Sequence, residues 1–329
     1  MQKVRFLIIR FSSIGDIVLT TPVVRCLKNH VEGAEIHYLT KPAFSKILEN
    51  NPYIDKVHVL QPSFADTIHQ LKYQHFDYII DLHKNLRSFR VKNRLKVILF
   101  SFNKLNKEKW LMVNFKKNKL PDKHIVDRYL ETLSVFDVQN DHQGLDYFIP
   151  DKDHVDLNTL SDELAGGYVG VVVGAFHPTK KMPSEKIVSI CRKIDKPVVL
   201  LGGPNDQEEA EYIKKAVGTN IFNACGKYNI NQSASLVKQA GVILTPDTGL
   251  MHIASAFKKK IVSVWGNTIP EFGMYPYLPG PESEIMEIKG LKCRPCTKIG
   301  FSQCPKKHFK CILDLDDDAI AKKIRALYS

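Results

Sequence analysis

Gly166-Gly167-Tyr168-Val169-Gly170-Val171-Val172-Val173-Gly174 decides the fold of this chain. Two glycines open a run with no polar residue, Gly170 stands within it and Gly174 closes it, the pattern of a strand buried on both faces. The run follows a polar passage, Asp151-Lys152-Asp153, so an alternation of strands and helices that began at the N-terminus starts again midway. Upstream, strands fit Val4–Ile9, Glu35–Leu39, Lys56–Leu60 and Tyr78–Asp81, and helices fit Asp16–Asn29, Pro42–Glu49, Ser63–Tyr73 and Lys84–Arg94. Downstream, strands fit Tyr168–Val173, Pro197–Leu201, Val242–Leu244 and Ile261–Val264, with helices at Asp206–Val217, Asn231–Ala240 and Leu250–Phe257. Gly33, Pro42, Pro52 and Pro62 punctuate the joins. Such alternation predicts an α/β protein with parallel sheets. The 329 residues allow two cores, each of about 150 residues. The expected architecture is two Rossmann-like domains facing across a cleft, residues 1–155 and 156–315. The last helix, 316–328, is expected to pack back on the first domain.

Hydrophobic residues make up 44% and charged residues 25%, the balance of an ordinary globular protein. No run of about 18 apolar residues is present, and Phe6–Ile9 is too short for a signal sequence, so a cytoplasmic protein is expected. The net charge is +12, and it is concentrated. From Lys84 to Arg128, fourteen Lys or Arg face three acids, Glu108, Asp122 and Asp127. That segment calls for an anionic partner, nucleic acid, anionic lipid or acidic glycolipid, unless it is only a solvated face.

Open α/β sheets bind ligands beyond the carboxyl ends of their strands, so the loops after Ile9, Val173, Leu201 and Leu244 are the candidate site. The first, Arg10-Phe11-Ser12-Ser13-Ile14-Gly15-Asp16, places a carboxylate where a helix begins. Asp16 there serves either as a helix cap or as a base toward a hydroxyl, and spacing alone does not separate the two. The loop is neither a GxGxxG nor a phosphate-binding P-loop. In Phe176-His177-Pro178-Thr179-Lys180-Lys181, a hydroxyl and two ammonium groups suit a phosphate, or else are solvated. In Gly202-Gly203-Pro204-Asn205-Asp206-Gln207-Glu208-Glu209, the acids either favour the helix dipole or accept from a ribose. Thr245-Pro246-Asp247-Thr248-Gly249-Leu250-Met251-His252 runs from strand to helix, with the Thr248 and Gly249 amides set for an anion and His252 one turn on.

Taken together, these motifs resemble glycosyltransferase family 9, the ADP-heptose:lipopolysaccharide heptosyltransferases. The resemblance rests on Ile9–Ile17, Asp81-Leu82-His83-Lys84-Asn85-Leu86-Arg87-Ser88, His124-Ile125-Val126-Asp127-Arg128-Tyr129, Thr179-Lys180-Lys181-Met182-Pro183 and Asp247–His252. It implies a GT-B fold and an inverting transferase that uses no catalytic metal. It implies Asp16 as general base, Lys180 and Thr248 on the diphosphate, and Asp247 and His252 on donor sugar and phosphate. Thr179 and Gly249 are counted with the donor site, and Asp206 or Glu209 with the ribose. Ser12, Ser13, Lys84, Arg87 and Arg90 are the candidate acceptor contacts. The implied partners are an ADP-sugar and an anionic glycolipid at the inner membrane surface, with no nucleic acid. Met182, Lys259-Lys260 and Asn267 depart from the family pattern, which bears on nucleotide and sugar identity.

Cys293, Cys296, Cys304 and Cys311 form C-x2-C-x7-C-x6-C in a lysine-rich loop, with His308 nearby. A structural zinc site, free thiols and two disulfides are all compatible with that spacing. Cys26, Cys191 and Cys225 read as core residues. Two other function classes remain open to the sequence: a sugar-nucleotide epimerase on a similar two-lobed fold, and a nucleic-acid-binding module using residues 84–128.

Overall fold

The computed structural model describes residues 3–164 and 166–328. Its contacts divide the chain into two compact units, residues 1–104 with 123–148, and residues 105–122 with 149–329.

The first unit holds β1 (Val4–Ile9), β2 (Ala34–Thr40), β3 (Lys56–Val59), β4 (Tyr78–Asp81) and β5 (Ile98–Ser101) in the order β3-β2-β1-β4-β5. Every pairing is parallel. Its helices are α1 (Ile14–Val18), α2 (Thr21–His30), α3 (Phe64–Lys72), α4 (Leu86–Leu95) and α6 (Ile125–Leu130); α5 (Asn106–Phe115) belongs to the second unit. The helix expected over 16–29 is two helices, because Pro22 lacks the N–H that would continue the first and instead opens the second.

The second unit holds β6 (Val169–Val172), β7 (Val198–Leu201), β8 (Ile221–Asn223), β9 (Val242–Pro246), β10 (Lys260–Trp265) and β11 (Glu284–Glu287). They are ordered β11-β10-β9-β6-β7-β8, again with parallel pairings. Around them lie α7 (Ser184–Cys191), α8 (Gln207–Val217), α9 (Ile230–Gln239), α10 (Gly249–Ala256), α11 (Lys310–Leu313) and α12 (Asp317–Tyr328). Counted from its own first strand, this sheet has the same 3-2-1-4-5 core order as the first. Each sheet therefore has a topological switch point between its first and fourth strands, β1/β4 in one unit and β6/β9 in the other.

The destination of the last helix corrects the sequence expectation. Ile320, Ala321, Ile324 and Leu327 of α12 are buried in the second unit's core, with Ile187 and Val262. Burying three such large aliphatic side chains contributes about 1.5–3 kcal/mol each. The Lys186 ammonium lies 2.5 Å from the Asp317 carboxylate and fixes the helix start. The apolar stripe of this helix was readable; which sheet it covers was not. Among the described residues no helix is long and apolar enough to cross a membrane.

Candidate functional site

In the first unit, the chain leaves β1 at Arg10 and enters α1. Asp16 is the third residue of that helix and reaches back to Ser13, whose backbone N–H and hydroxyl donate to Oδ2 at 3.1 and 2.8 Å. The capping alternative is thus realised through Ser13. The other carboxylate oxygen lies 2.5 Å from the Arg10 guanidinium, with 22% of the Asp16 side chain still exposed. Arg10 is itself buried and held: it donates to the Leu82 carbonyl at 2.5 Å, to the Tyr129 hydroxyl at 2.9 Å and to the Ser12 carbonyl at 2.9 Å. Burial alone would raise the Asp16 pKa, but the Arg10 charge and the Ser13 hydrogen bonds outweigh it and hold it at about 2. Asp16 is therefore an ionised carboxylate at neutral pH with an open edge.

The loop after β4 lies at the same switch point. Asp81 accepts from the His83 and Lys84 amides and from the Ser88 hydroxyl, which fixes the turn into α4. The His83 ring packs edge-on against Phe11 at 5.0 Å, and its buried Nδ1 has no hydrogen-bond partner. Burial, then the nearby Arg10 charge, push its pKa down to about 4, so the imidazole is neutral. Of the candidate acceptor contacts, Lys84 places its ammonium 3.0 Å from the Phe102 carbonyl, and the Arg87 guanidinium lies 5.8 Å from the centre of the Phe11 ring. Arg87, Arg90 and Ser13 are exposed and Ser12 is partly so.

In the second unit three strand ends converge. Lys180, from the loop after β6, places its ammonium 2.5 Å from the Asp247 carboxylate at the end of β9. The same carboxylate oxygen accepts from the Thr268 hydroxyl at 3.1 Å, after β10. Thr248 precedes the first turn of α10 with extended backbone (φ −142°, ψ 174°), and Gly249 is the first helical residue. The free amides of that turn favour an anion. His252 is buried one turn into the helix.

Thr179 sits apart from this convergence. Its hydroxyl donates to the Phe301 carbonyl at 3.0 Å and accepts the Phe301 amide at 2.8 Å, so it braces the cysteine-rich loop. Asp206 and Glu209 gather around Lys181 instead. Asp206 pairs with the Lys181 ammonium and accepts from the Gly203 amide at 2.9 Å. Glu209 lies 3.2 Å from that ammonium and accepts from the Ser184 hydroxyl at 2.8 Å. Burial opposes the charge on Lys181, but its two acidic partners prevail and raise its pKa. A Cβ on Gly174 would lie 2.1 Å from Asp206 Oδ2, so any larger residue there would force the Asp206 carboxylate to shift.

The sequence reading assigned no role to Arg10, Tyr129, Thr268 or Arg294. Arg294 donates to the carbonyls of Gly266, at 2.5 Å, and Thr268, at 2.9 and 3.1 Å, and to Glu287 at 2.6 Å, which sets the loop that brings Thr268 to Asp247. Position beyond the end of β10 was the available signal for this loop. Asn267 in the same loop is buried, and neither polar atom of its side chain has a partner.

All seven cysteines are unpaired thiols. Cys293 Sγ lies 3.7 Å from His308 Nε2, and the Cys296 thiol donates to the Cys293 carbonyl at 3.2 Å. Burial first, and then the neighbouring Cys293, push the Cys296 thiol up to about 11, so it stays protonated. Among the described residues no group of three or more His, Cys, Asp or Glu side chains is drawn together as metal ligands would be. No disulfide is formed among these cysteines, and Cys311 feels the charges of Cys293, Cys296 and Cys304.

The model of the family described as "Glycosyltransferase family 9 (heptosyltransferase)" matches residues 65–306. The chain is 24% identical over 285 residues to lipopolysaccharide heptosyltransferase 1 of Campylobacter coli, covering 79% of this chain and 83% of that protein. Among solved structures it is similar to a family 9 glycosyl transferase from Veillonella parvula, with a TM-score of 0.79 at 19% identity over 100% of this chain and 98% of that one. It is also similar to the E. coli ADP-heptose LPS heptosyltransferase II, with a TM-score of 0.76 at 18% identity and 98% of both chains covered. These structural likenesses establish the fold.

Proposed function

Since this chain belongs to glycosyltransferase family 9 (heptosyltransferase), we propose that it transfers a heptose, with inversion, from an ADP-sugar to the lipid A–core region of lipopolysaccharide. The observation that carries this reading is the ionised Asp16 at the first unit's switch point, gripped by Arg10 and Ser13 with one edge exposed. Asp16 is the general base. An acceptor hydroxyl donates its proton to the carboxylate while its oxygen attacks the anomeric carbon from the side opposite the diphosphate. The bond from that carbon to the diphosphate oxygen breaks, its electron pair leaves with ADP, and the configuration inverts.

The leaving charge is offset by the Lys180 ammonium and by the free amides at the start of α10, so no metal is required for transfer. In the free protein Asp247 neutralises Lys180; an arriving diphosphate competes with that carboxylate, and Thr268 holds Asp247 in place as the lysine turns to it. Thr248, Gly249 and His252 complete the donor contacts. Asp206 and Glu209 reach the ribose through the loop they build around Lys181. Ser12, Ser13, Lys84, Arg87 and Arg90 meet the anionic acceptor. The enzyme works in the cytoplasm, on the surface of the inner membrane.

A panel of nucleotide sugars scored by thermal shift tests the donor assignment. A ligand at a hundredfold excess over its Kd stabilises by about 2.7 kcal/mol, so ADP-heptose is expected to raise Tm above UDP- and GDP-sugars. Equal response to every nucleotide sugar would remove the ADP-heptose assignment. Transfer that survives chelation by EDTA supports the metal-free mechanism, and loss of transfer restored by a divalent cation would overturn it.

A further inference from the structure

The helix α5 is unusual in this chain because none of its residues is buried. Trp110 and Phe115 are 56% and 58% exposed, and their rings meet edge to face at 5.2 Å on the surface. Lys107 and Asn114 are exposed on the face of Trp110, three residues before it and four after. Lys116, Lys117 and Lys119 follow immediately, with no acid between Glu108 and Asp122. Some of this charge is already engaged. The Lys116 ammonium lies 2.6 Å from the Pro295 carbonyl and anchors the end of α5 to the second unit, and Lys109 lies 5.9 Å from the centre of the Phe272 ring. Lys107, Lys117 and Lys119 are exposed.

A helix that stays ordered with two large aromatic rings in water and lysines around them combines two features. Aromatic side chains of this kind settle at the headgroup level of a bilayer, and flanking lysines pair with anionic phosphates. The charge selects the occupant: a positive apolar face complements an anionic lipid surface, while a neutral one would leave the lysines unmatched. We propose that α5 and the Lys116–Lys119 turn dock this chain on an anionic bilayer, with Trp110 and Phe115 inserted at the headgroups and Lys107, Lys117 and Lys119 on the phosphates. The inference deepens the reading of a membrane-borne glycolipid acceptor, and rests on it only for its purpose: docking holds the enzyme where such an acceptor is presented.

The chain supplies its own probe. It has two tryptophans, and the second, Trp265, is buried at 1% exposure, so a change in emission on adding vesicles reports Trp110. With phosphatidylglycerol–phosphatidylethanolamine vesicles the emission is expected to shift to the blue and the protein to co-sediment. With phosphatidylcholine vesicles neither is expected, and raising salt reverses the binding. A Lys107→Gln, Lys117→Gln, Lys119→Gln variant is expected to lose on the order of a hundredfold in vesicle affinity. A Trp110→Ser, Phe115→Ser variant is expected to lose at least about tenfold. All five side chains are exposed, and an unchanged Tm verifies folding. Emission unmoved by anionic vesicles, or a triple variant that binds like the parent, would overturn the proposal. So would a blue shift that follows protein concentration without lipid, which marks a second copy on this face, or one caused by an oligonucleotide but not by vesicles. Thermal shift with ADP-heptose separates the two readings. Lost donor binding with vesicle binding intact counts against the transferase assignment alone, and the converse against docking alone.

Discussion

The two units share one strand order and place their unusual residues at the same topological switch point, yet they arrange charge in opposite ways. In the first, a partly exposed carboxylate, Asp16, is paired with a buried arginine, Arg10. In the second, Lys180 rests on Asp247 beside the free amides of a helix start. One end carries an ionised carboxylate, the other a cation beside free helix amides. The difference teaches that strand order fixes where chemistry can sit, while the first few residues beyond each strand decide which chemistry it is.

Altering the first unit's carboxylate is expected to have the largest effect. Asp16→Ala removes the base and lowers kcat by about a thousandfold, measured as transfer to lipid A–core acceptor. In the second unit, Lys180→Met is expected to weaken ADP-heptose by about ten- to a hundredfold in calorimetry, since a charge-assisted contact is lost and Asp247 is left unmatched. If both variants fell equally in donor affinity and in transfer rate, the two-unit contrast would collapse.

The pH profile sharpens the same comparison. With its pKa at about 2, Asp16 stays ionised through the working range, so kcat/KM has no acid limb near neutrality from this group. The Arg10–Asp16 interaction stabilises the fold above the ordinary carboxylate value of 3.8, and that contribution is lost as pH falls through about 2. In Arg10→Ala the burial effect loses its largest opponent and the Ser13 hydrogen bonds remain, so the carboxyl rises and an acid limb enters the measurable range; Arg10→Lys keeps it low. A profile identical in all three proteins would show that Arg10 does not set the state of Asp16. The smallest effect is structural. Gly174→Ala forces a methyl group against Asp206, at a cost of about 1–3 kcal/mol and a Tm lower by several degrees.

The α/β alternation was legible because buried parallel strands such as Tyr168–Val173 are continuous apolar runs. The strands that escaped notice, β5, β8 and β11, are short and lie at sheet edges; β5 carries the apolar run Val97–Phe100 but sits inside the basic segment. The apolar residues of α5 run together, Trp110-Leu111-Met112-Val113, and leave no face to recognise. The candidate site was half legible. Asp16, Lys180 and Asp247 stood out by residue type and position beyond a strand. Arg10 and Thr268 did not, because their roles depend on partners six and 21 residues away. Thr179 shows the reverse: its type suits a phosphate, but its hydroxyl serves Phe301.

The division of labour is tested most directly by the Asp16→Asn protein, which keeps the shape of the side chain and removes its charge. Single-turnover transfer and the Kd for ADP-heptose are measured on one preparation. The expected result is transfer reduced by about a thousandfold with donor affinity unchanged. Transfer at the parent rate, or donor affinity lost together with transfer, would contradict the assignment of the base to the first unit and the donor to the second.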